Sequence, residues 1–207
     1  MSKKLTYTLL GEGFAEYAFI KIYFERMVAE KKDDIQVVSS RLMRPNGGKS
    51  SSSQVLANIK NLCIKSFVSR NDIQIFITGI DLDQTDNDPD LPKYKARMKE
   101  MTDKLGKELY ERYQNKIIFF VPIQAIDYWV LYQHYRLKKE DKPKDNSLES
   151  SAKDTIKKRL YGANTNEIKI ERIVGEVAEK ADFEELTKQS KSFRLLHEQL
   201  KKFRESY

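Results

Sequence analysis

Cysteine is nearly absent: Cys63 stands alone in 207 residues. No internal disulfide and no cysteine zinc cluster can form, which excludes a secreted disulfide scaffold and a zinc ribbon. Such a chain suits a reducing cytosol, and a cytoplasmic location is expected. Histidine is almost as scarce, with only His134 and His197, too few for a soft-metal site. Long apolar runs are missing as well. The longest, Ile117 to Ile123, falls far short of the roughly 20 residues that cross a bilayer, so no transmembrane segment and no membrane partner are expected. Lys3 and Lys4 precede an apolar run that soon meets Gly11 and Glu12, too short and too acidic for a secretory signal.

What is present can build a core. Hydrophobic residues make up 40% of the chain, with 10 Phe and 11 Tyr, which argues against wholesale disorder despite a mean hydropathy of -0.66. The length fits one compact domain with a decorated end. The net charge of +7 is unevenly spread. Residues 1–70 carry 12 basic and 6 acidic side chains, residues 71–137 carry 9 and 11, and residues 138–207 carry 17 and 14. The centre is acidic between basic flanks, and such flanks attract a polyanion such as nucleic acid.

Segments rich in β-branched and aromatic residues alternate with longer segments of helical period, the pattern of a βαβ series with a parallel sheet. Strands are expected at Leu5 to Leu10, Ile35 to Ser39, Ile73 to Ile80 and Lys116 to Val121. Helices are expected near 14–30, 54–68, from the acidic loop to Tyr113, and 125–136. The charged stretch Lys138 to Ser151 reads as a linker. The prediction is therefore an α/β core over 1–137, with a parallel four-stranded sheet, and a helical extension over 138–207 packed on it. Three helices are expected in that extension, near 151–160, 167–180 and 191–205.

In a doubly wound parallel sheet all strands end at one edge, and ligands sit outside those carboxyl ends. Acids recur there. Glu12 follows the first strand, Glu16 lies a turn further on, Asp81 and Asp83 follow the third strand, and Asp127 opens the helix after the fourth. Each alone has a structural role open to it, because acids near helix N-termini are favoured by about 0.3–1 kcal/mol. Asp81 and Asp83 are different: at a two-residue interval off a strand they are expected to point the same way and to repel unless a cation neutralises them. A hard divalent ion with oxygen ligands is the ordinary solution. Asp86, Asp88 and Asp90 read as solvated turn formers beside Asn87 and Pro89. They do not form an EF-hand, which needs glycine at its sixth position and glutamate at its twelfth.

Leu9-Leu10-Gly11-Glu12-Gly13-Phe14-Ala15-Glu16 resembles the strand-end EGxxE motif of Toprim domains, and Ile80-Asp81-Leu82-Asp83 resembles their D-x-D. The likeness is to small stand-alone Toprim-like proteins of bacterial defence and mobile loci, the RloB-like and OLD-nuclease-related groups. In these an E-x-W-x-L element follows the fourth strand. Here it reads Ile126-Asp127-Tyr128-Trp129-Val130-Leu131, with aspartate for glutamate. The resemblance covers about residues 4–136. It implies a Toprim-like, Rossmann-like fold and Mg²⁺-dependent (or Mn²⁺-dependent) phosphodiester cleavage of nucleic acid, DNA before RNA. It also implies a protein partner from a defence operon. Glu12 would act as general acid or base, with Asp81 and Asp83 as metal ligands and Glu16 with Asp127 at a second ion. Two ions activate water and stabilise the leaving oxygen without a covalent nucleophile.

Gly47-Gly48-Lys49-Ser50 invites comparison with a Walker A loop, but that motif needs a glycine where this chain has Met43. An ATPase is rejected. Arg41 and Arg44 stand beside this loop, and with its Lys49 they are expected to contact a phosphate backbone. Two alternatives to a nuclease stand. One is an inactive Toprim-like binding or regulatory module. The other is a haloacid-dehalogenase-type phosphatase, since Asp81-Leu82-Asp83-Gln84-Thr85 fits D-x-D-x-T, although that motif normally ends the first core strand. Tyr128, Trp129, Tyr132 and Tyr135 are expected to pack in the core rather than stack on bases. His134 reads as a surface or partly buried polar residue and His197 as structural. The last helix, with Phe193, Leu196, Leu200 and Phe203 on one face, is expected to pack on the core or to serve as a homodimer face.

Overall fold

The computed structural model describes residues 3–29, 35–43, 49–68 and 73–206. Four strands, β1 (Lys3–Leu10), β2 (Ile35–Met43), β3 (Ile75–Gly79) and β4 (Ile117–Phe120), form one sheet in the order β2-β1-β3-β4. Every pairing is parallel. Helices α1 (Phe14–Ala29), α2 (Ser52–Phe67), α3 (Pro92–Leu105), α4 (Lys107–Tyr113) and α5 (Asp127–Lys138) fill the connections and follow the last strand. Then come α6 (Lys153–Tyr161), α7 (Glu167–Glu179), α8 (Phe183–Gln189) and α9 (Lys191–Ser206). The result is an α/β, Rossmann-like fold.

Strand side chains alternate between two cores, as a sheet covered on both faces requires. Tyr7, Leu9, Ile77, Ile118 and Phe120 join one core with α1, α5 and α6–α9. Leu10, Phe76, Ile117 and Phe119 join the other with α2 and α3. The first core runs without a break into the C-terminal helices. Phe19 and Tyr23 of α1, Trp129 of α5, Phe183 of α8 and Phe193 of α9 interlock there, with ring centroids 4.7 to 6.1 Å apart. Each such pair adds about 0.5–1.5 kcal/mol beyond the area it buries. His197 is also buried here, its Nδ1 2.9 Å from the Tyr23 hydroxyl.

Several boundaries differ from those read in the sequence. β2 extends to Met43, and the charged helix before β4 is two helices broken at Gly106, whose φ is +88°. An additional helix, α8, is capped by Asp182, whose side chain accepts from the Glu185 amide. Asp86 is not a solvated turn former. It is buried, and its Oδ2 accepts from the Tyr94 amide at 2.8 Å, supplying the cap that Leu91 cannot provide at the start of α3.

Candidate functional site

β1 lies between β2 and β3, so the chain leaves β1 towards one side of the sheet and later continues on the other. The crevice at the carboxyl ends of β1 and β3 is the topological switch point, where doubly wound sheets take their ligands. A cleft of about 370 Å³ opens there, lined by Glu12, Glu16, Asp81, Asp83 and Asp127 together with lysines and serines from two other segments.

Glu12 sits on the Gly11-Glu12-Gly13 turn out of β1. Its Oε1 accepts from the Asp81 amide at 2.7 Å, joining the exits of two neighbouring strands. Burial raises the pKa of its carboxyl above the ordinary value. The bond from the Asp81 amide opposes that rise, and the charge of Asp83 adds to it. Glu16 is buried in the first turn of α1. A Cβ at Gly13 would stand 3.1 Å from Glu16 Oε2, so the glycine leaves room for this carboxylate. Burial pushes Glu16 up to about 7; a bond from its own backbone opposes the shift, and Glu12 and Asp127 reinforce it.

Asp81 is buried, its Oδ1 accepting from the Ile126 amide at 3.1 Å and its Oδ2 facing Lys153 Nζ at 3.5 Å. Burial first, then the charge of Glu16, holds its carboxyl well above the usual range. Asp83 reaches the same lysine by a different backbone route. β3 stops at Gly79, and Asp83 takes a left-handed backbone with φ of +56°, which breaks the strand alternation. Asp81 turns into the floor of the cleft while Asp83 stands at the rim with 49% of its side chain exposed. One cation bridges them, since Lys153 Nζ is 2.7 Å from Asp83 Oδ1. Asp127, first residue of α5, is buried; its Oδ1 accepts from the Tyr161 hydroxyl, and its Oδ2 lies 3.9 Å from Lys157 Nζ.

The sequence reading missed Lys153, Lys157 and Tyr161, which α6 brings back over the acids. Their signal was local: spacings of four residues put all three on one helix face. Lys153 also opens α6, at the end where the helix dipole disfavours a cation. Burial works against its charge, but Asp81 and Asp83 outweigh that and raise its pKa. The burial of Tyr161 and the charge of Asp127 likewise raise the Tyr161 hydroxyl, which stays a donor.

Lys49 lines the same cleft from the segment before α2. Arg44 and the side chain of Arg41 lie outside the described residues. Tyr128, Trp129 and Tyr132 are fully buried and anchor the C-terminal segment: Trp129 Nε1 donates to Ser192 Oγ, Tyr128 to the Ser151 carbonyl and Tyr132 to Glu149. They are closed to base stacking. His134 is half-buried, and burial lowers its pKa.

Among the described residues, no group of three or more His, Cys, Asp or Glu side chains stands ready to hold a metal ion. Oxygens of Glu12, Asp81 and Asp127 are engaged by backbone amides, the Tyr161 hydroxyl and two lysines. The donor set nevertheless suits a hard divalent cation, being all oxygen and short of positive charge. Part of the compensation comes from Lys153 and Lys157, whose long side chains can turn outward. Among the described residues no helix is long and apolar enough to cross a membrane. Comparison with protein-family models, curated proteins and solved structures finds no match for this chain.

Proposed function

We propose that the protein is a Mg²⁺- or Mn²⁺-dependent nuclease of Toprim-like type, cleaving phosphodiester bonds of nucleic acid at the β1/β3 cleft. The observation that carries this reading is the meeting of Glu12, Glu16, Asp81 and Asp127 in one partly buried cleft. Their burial and mutual repulsion raise three of the carboxyl groups. So costly an arrangement of acids is characteristic of functional sites.

Glu16, Asp81 and Asp127 would hold the cation, with Asp83 at the rim. A divalent ion bound there would polarise the phosphoryl oxygen and acidify a water. Glu12 is the acid or base of the pair of strand ends, its carboxyl raised above the ordinary value by burial and held in place by the Asp81 amide. Lys49, Lys153 and Lys157 line the cleft together with the acids, so a polyanionic strand that enters it meets positive charge there. Asp81 suits attack on phosphorus poorly, as the phosphatase alternative would require. Both its oxygens are engaged and its carboxyl binds protons readily. The internal donors to the acids favour one other reading, a binding module that works without metal.

Plasmid, single-stranded DNA and RNA incubated with Mg²⁺ or Mn²⁺ test the proposal. Glu12→Gln keeps an acceptor for the Asp81 amide and removes the titrating group, so cleavage should fall by about 10²–10⁴. Cleavage that persists undiminished in this variant overturns the role of Glu12. Binding without cleavage by the native protein selects the module.

A further inference from the structure

Three of the helices that begin at the cleft, α1, α2 and α5, follow directly on strands of the sheet. Two carry their own anion in the first turn, Glu16 in α1 and Asp127 in α5. The third, α2, has no acid there and is preceded by Lys49, Ser50 and Ser51. Ser51 closes a capping box with Gln54, which uses the amides of Ser51 and Gln54. The cap leaves the first two helical amides, those of Ser52 and Ser53, to other acceptors.

Ser50 supplies an independent observation. It is 2% exposed, lines the cleft, and its Oγ has no hydrogen-bond partner. Buried hydroxyls are normally satisfied, and this one, in a cleft wall, is left with a donor that a bound ligand can take. Its position is fixed, because the Ser50 amide donates to the Glu12 carbonyl at 2.6 Å. The hydroxyl therefore sits on the segment tied directly to the acidic turn.

We infer that Ser50, the N-terminus of α2 and Lys49 form a phosphate-binding subsite beside the carboxylates. It would hold a phosphate of the bound strand other than the one being cleaved. That the phosphate belongs to a nucleic-acid strand rests on the nuclease reading; the subsite itself rests on the orphaned hydroxyl and the uncompensated helix end. A phosphate accepts the Ser50 hydroxyl and the helix amides together, favoured by the helix dipole and by the Lys49 charge. Two sources share this chemistry, an internal phosphodiester and a terminal phosphate monoester.

The test uses the full chain in EDTA, so that cleavage plays no part. Inorganic phosphate should raise the thermal midpoint of the native protein, and Ser50→Ala should abolish most of that rise while leaving the ligand-free midpoint near the native one. Binding of a short single-stranded oligonucleotide should weaken about tenfold in Ser50→Ala, the loss of one hydrogen bond to a charged ligand. If a 5′-phosphorylated oligonucleotide binds more tightly than its 5′-hydroxyl form only when Ser50 is present, the subsite takes a chain end. Equal binding of the two, with equal loss in Ser50→Ala, assigns an internal phosphate. No effect of phosphate on the native protein, together with unchanged oligonucleotide affinity in Ser50→Ala, overturns the subsite. Neither result depends on whether the native protein cleaves with metal, so failure of the nuclease reading is seen separately.

Discussion

The amide of Asp81 stands 2.7 Å from Oε1 of Glu12, although 69 residues separate them in the chain. The bond gives Glu12 a structural duty besides any chemical one, and the two are separable. Glu12→Gln keeps a carbonyl oxygen for the amide, whereas Glu12→Ala strands a donor at a partly buried position. Leaving such a group unsatisfied costs about 1–3 kcal/mol. In urea denaturation Glu12→Ala should therefore be less stable than Glu12→Gln by about that amount, while both lack activity. Equal stability would mean that the bond does not order the site.

The pH dependence of stability follows from the direction of the acid shifts. Glu16 rises from 4.5 to about 7 on folding, so between those values the folded chain binds more protons than the unfolded one. Stability contributed by this group therefore falls as pH rises through that window. For Glu16 alone the loss is on the order of 3 kcal/mol. Glu149, buried beside Tyr132, is also pushed up to about 7 by burial and acts in the same window. Urea midpoints from pH 4.5 to 8 should decline in the metal-free native protein, and Glu16→Gln should flatten part of that decline. A slope untouched by Glu16→Gln would contradict its burial as a charged group.

The sheet was legible because each strand carries apolar side chains on both faces, and the strand-end acids were legible because all four strands run the same way. Other features were hidden for definite reasons. Asp83 leaves the strand alternation through a left-handed residue that nothing in Asp81-Leu82-Asp83 announces. Asp86 caps a helix eight residues on, across a loop, where no short capping pattern applies. Lys153, Lys157 and Tyr161 sit beyond a charged stretch that reads as a linker. The packing of Phe183 and Phe193 against α1, with the bonds from Tyr128, Trp129 and Tyr132, explains why that stretch folds back. The seven-residue α8 is too short to show a period.

Lys153 is the counter-ion of the acids in the absence of metal. Its raised pKa keeps it charged below the ordinary lysine value and beyond it, so any change of its effect below pH 8 comes from the acids it faces and not from its own titration. Lys153→Met keeps the apolar stem and removes the charge. With about a third of the side chain exposed, the expected cost is about 1–2 kcal/mol at pH 8. At pH 5 the cost should shrink, because Asp81 and Glu16 take up protons instead. A cost equal at both pH values would show that Lys153 acts through packing alone.

Metal binding and proton binding compete for the same oxygens, which gives a signature that unspecific stabilisation by salt lacks. Mg²⁺ or Mn²⁺ should raise the thermal midpoint of the native protein by mass action, worth about 2.7 kcal/mol at one hundred times the dissociation constant. The rise should be large at pH 8 and small at pH 5, where carboxyl groups with raised pKa values must first release protons. Asp81→Asn should remove it at both pH values. Lys153→Met should enlarge it at pH 8, because the ion then takes over the counter-charge that the lysine supplied. A metal-induced rise that survives in Asp81→Asn would place the ion away from the strand-end acids and overturn the assignment of the cleft as a metal site.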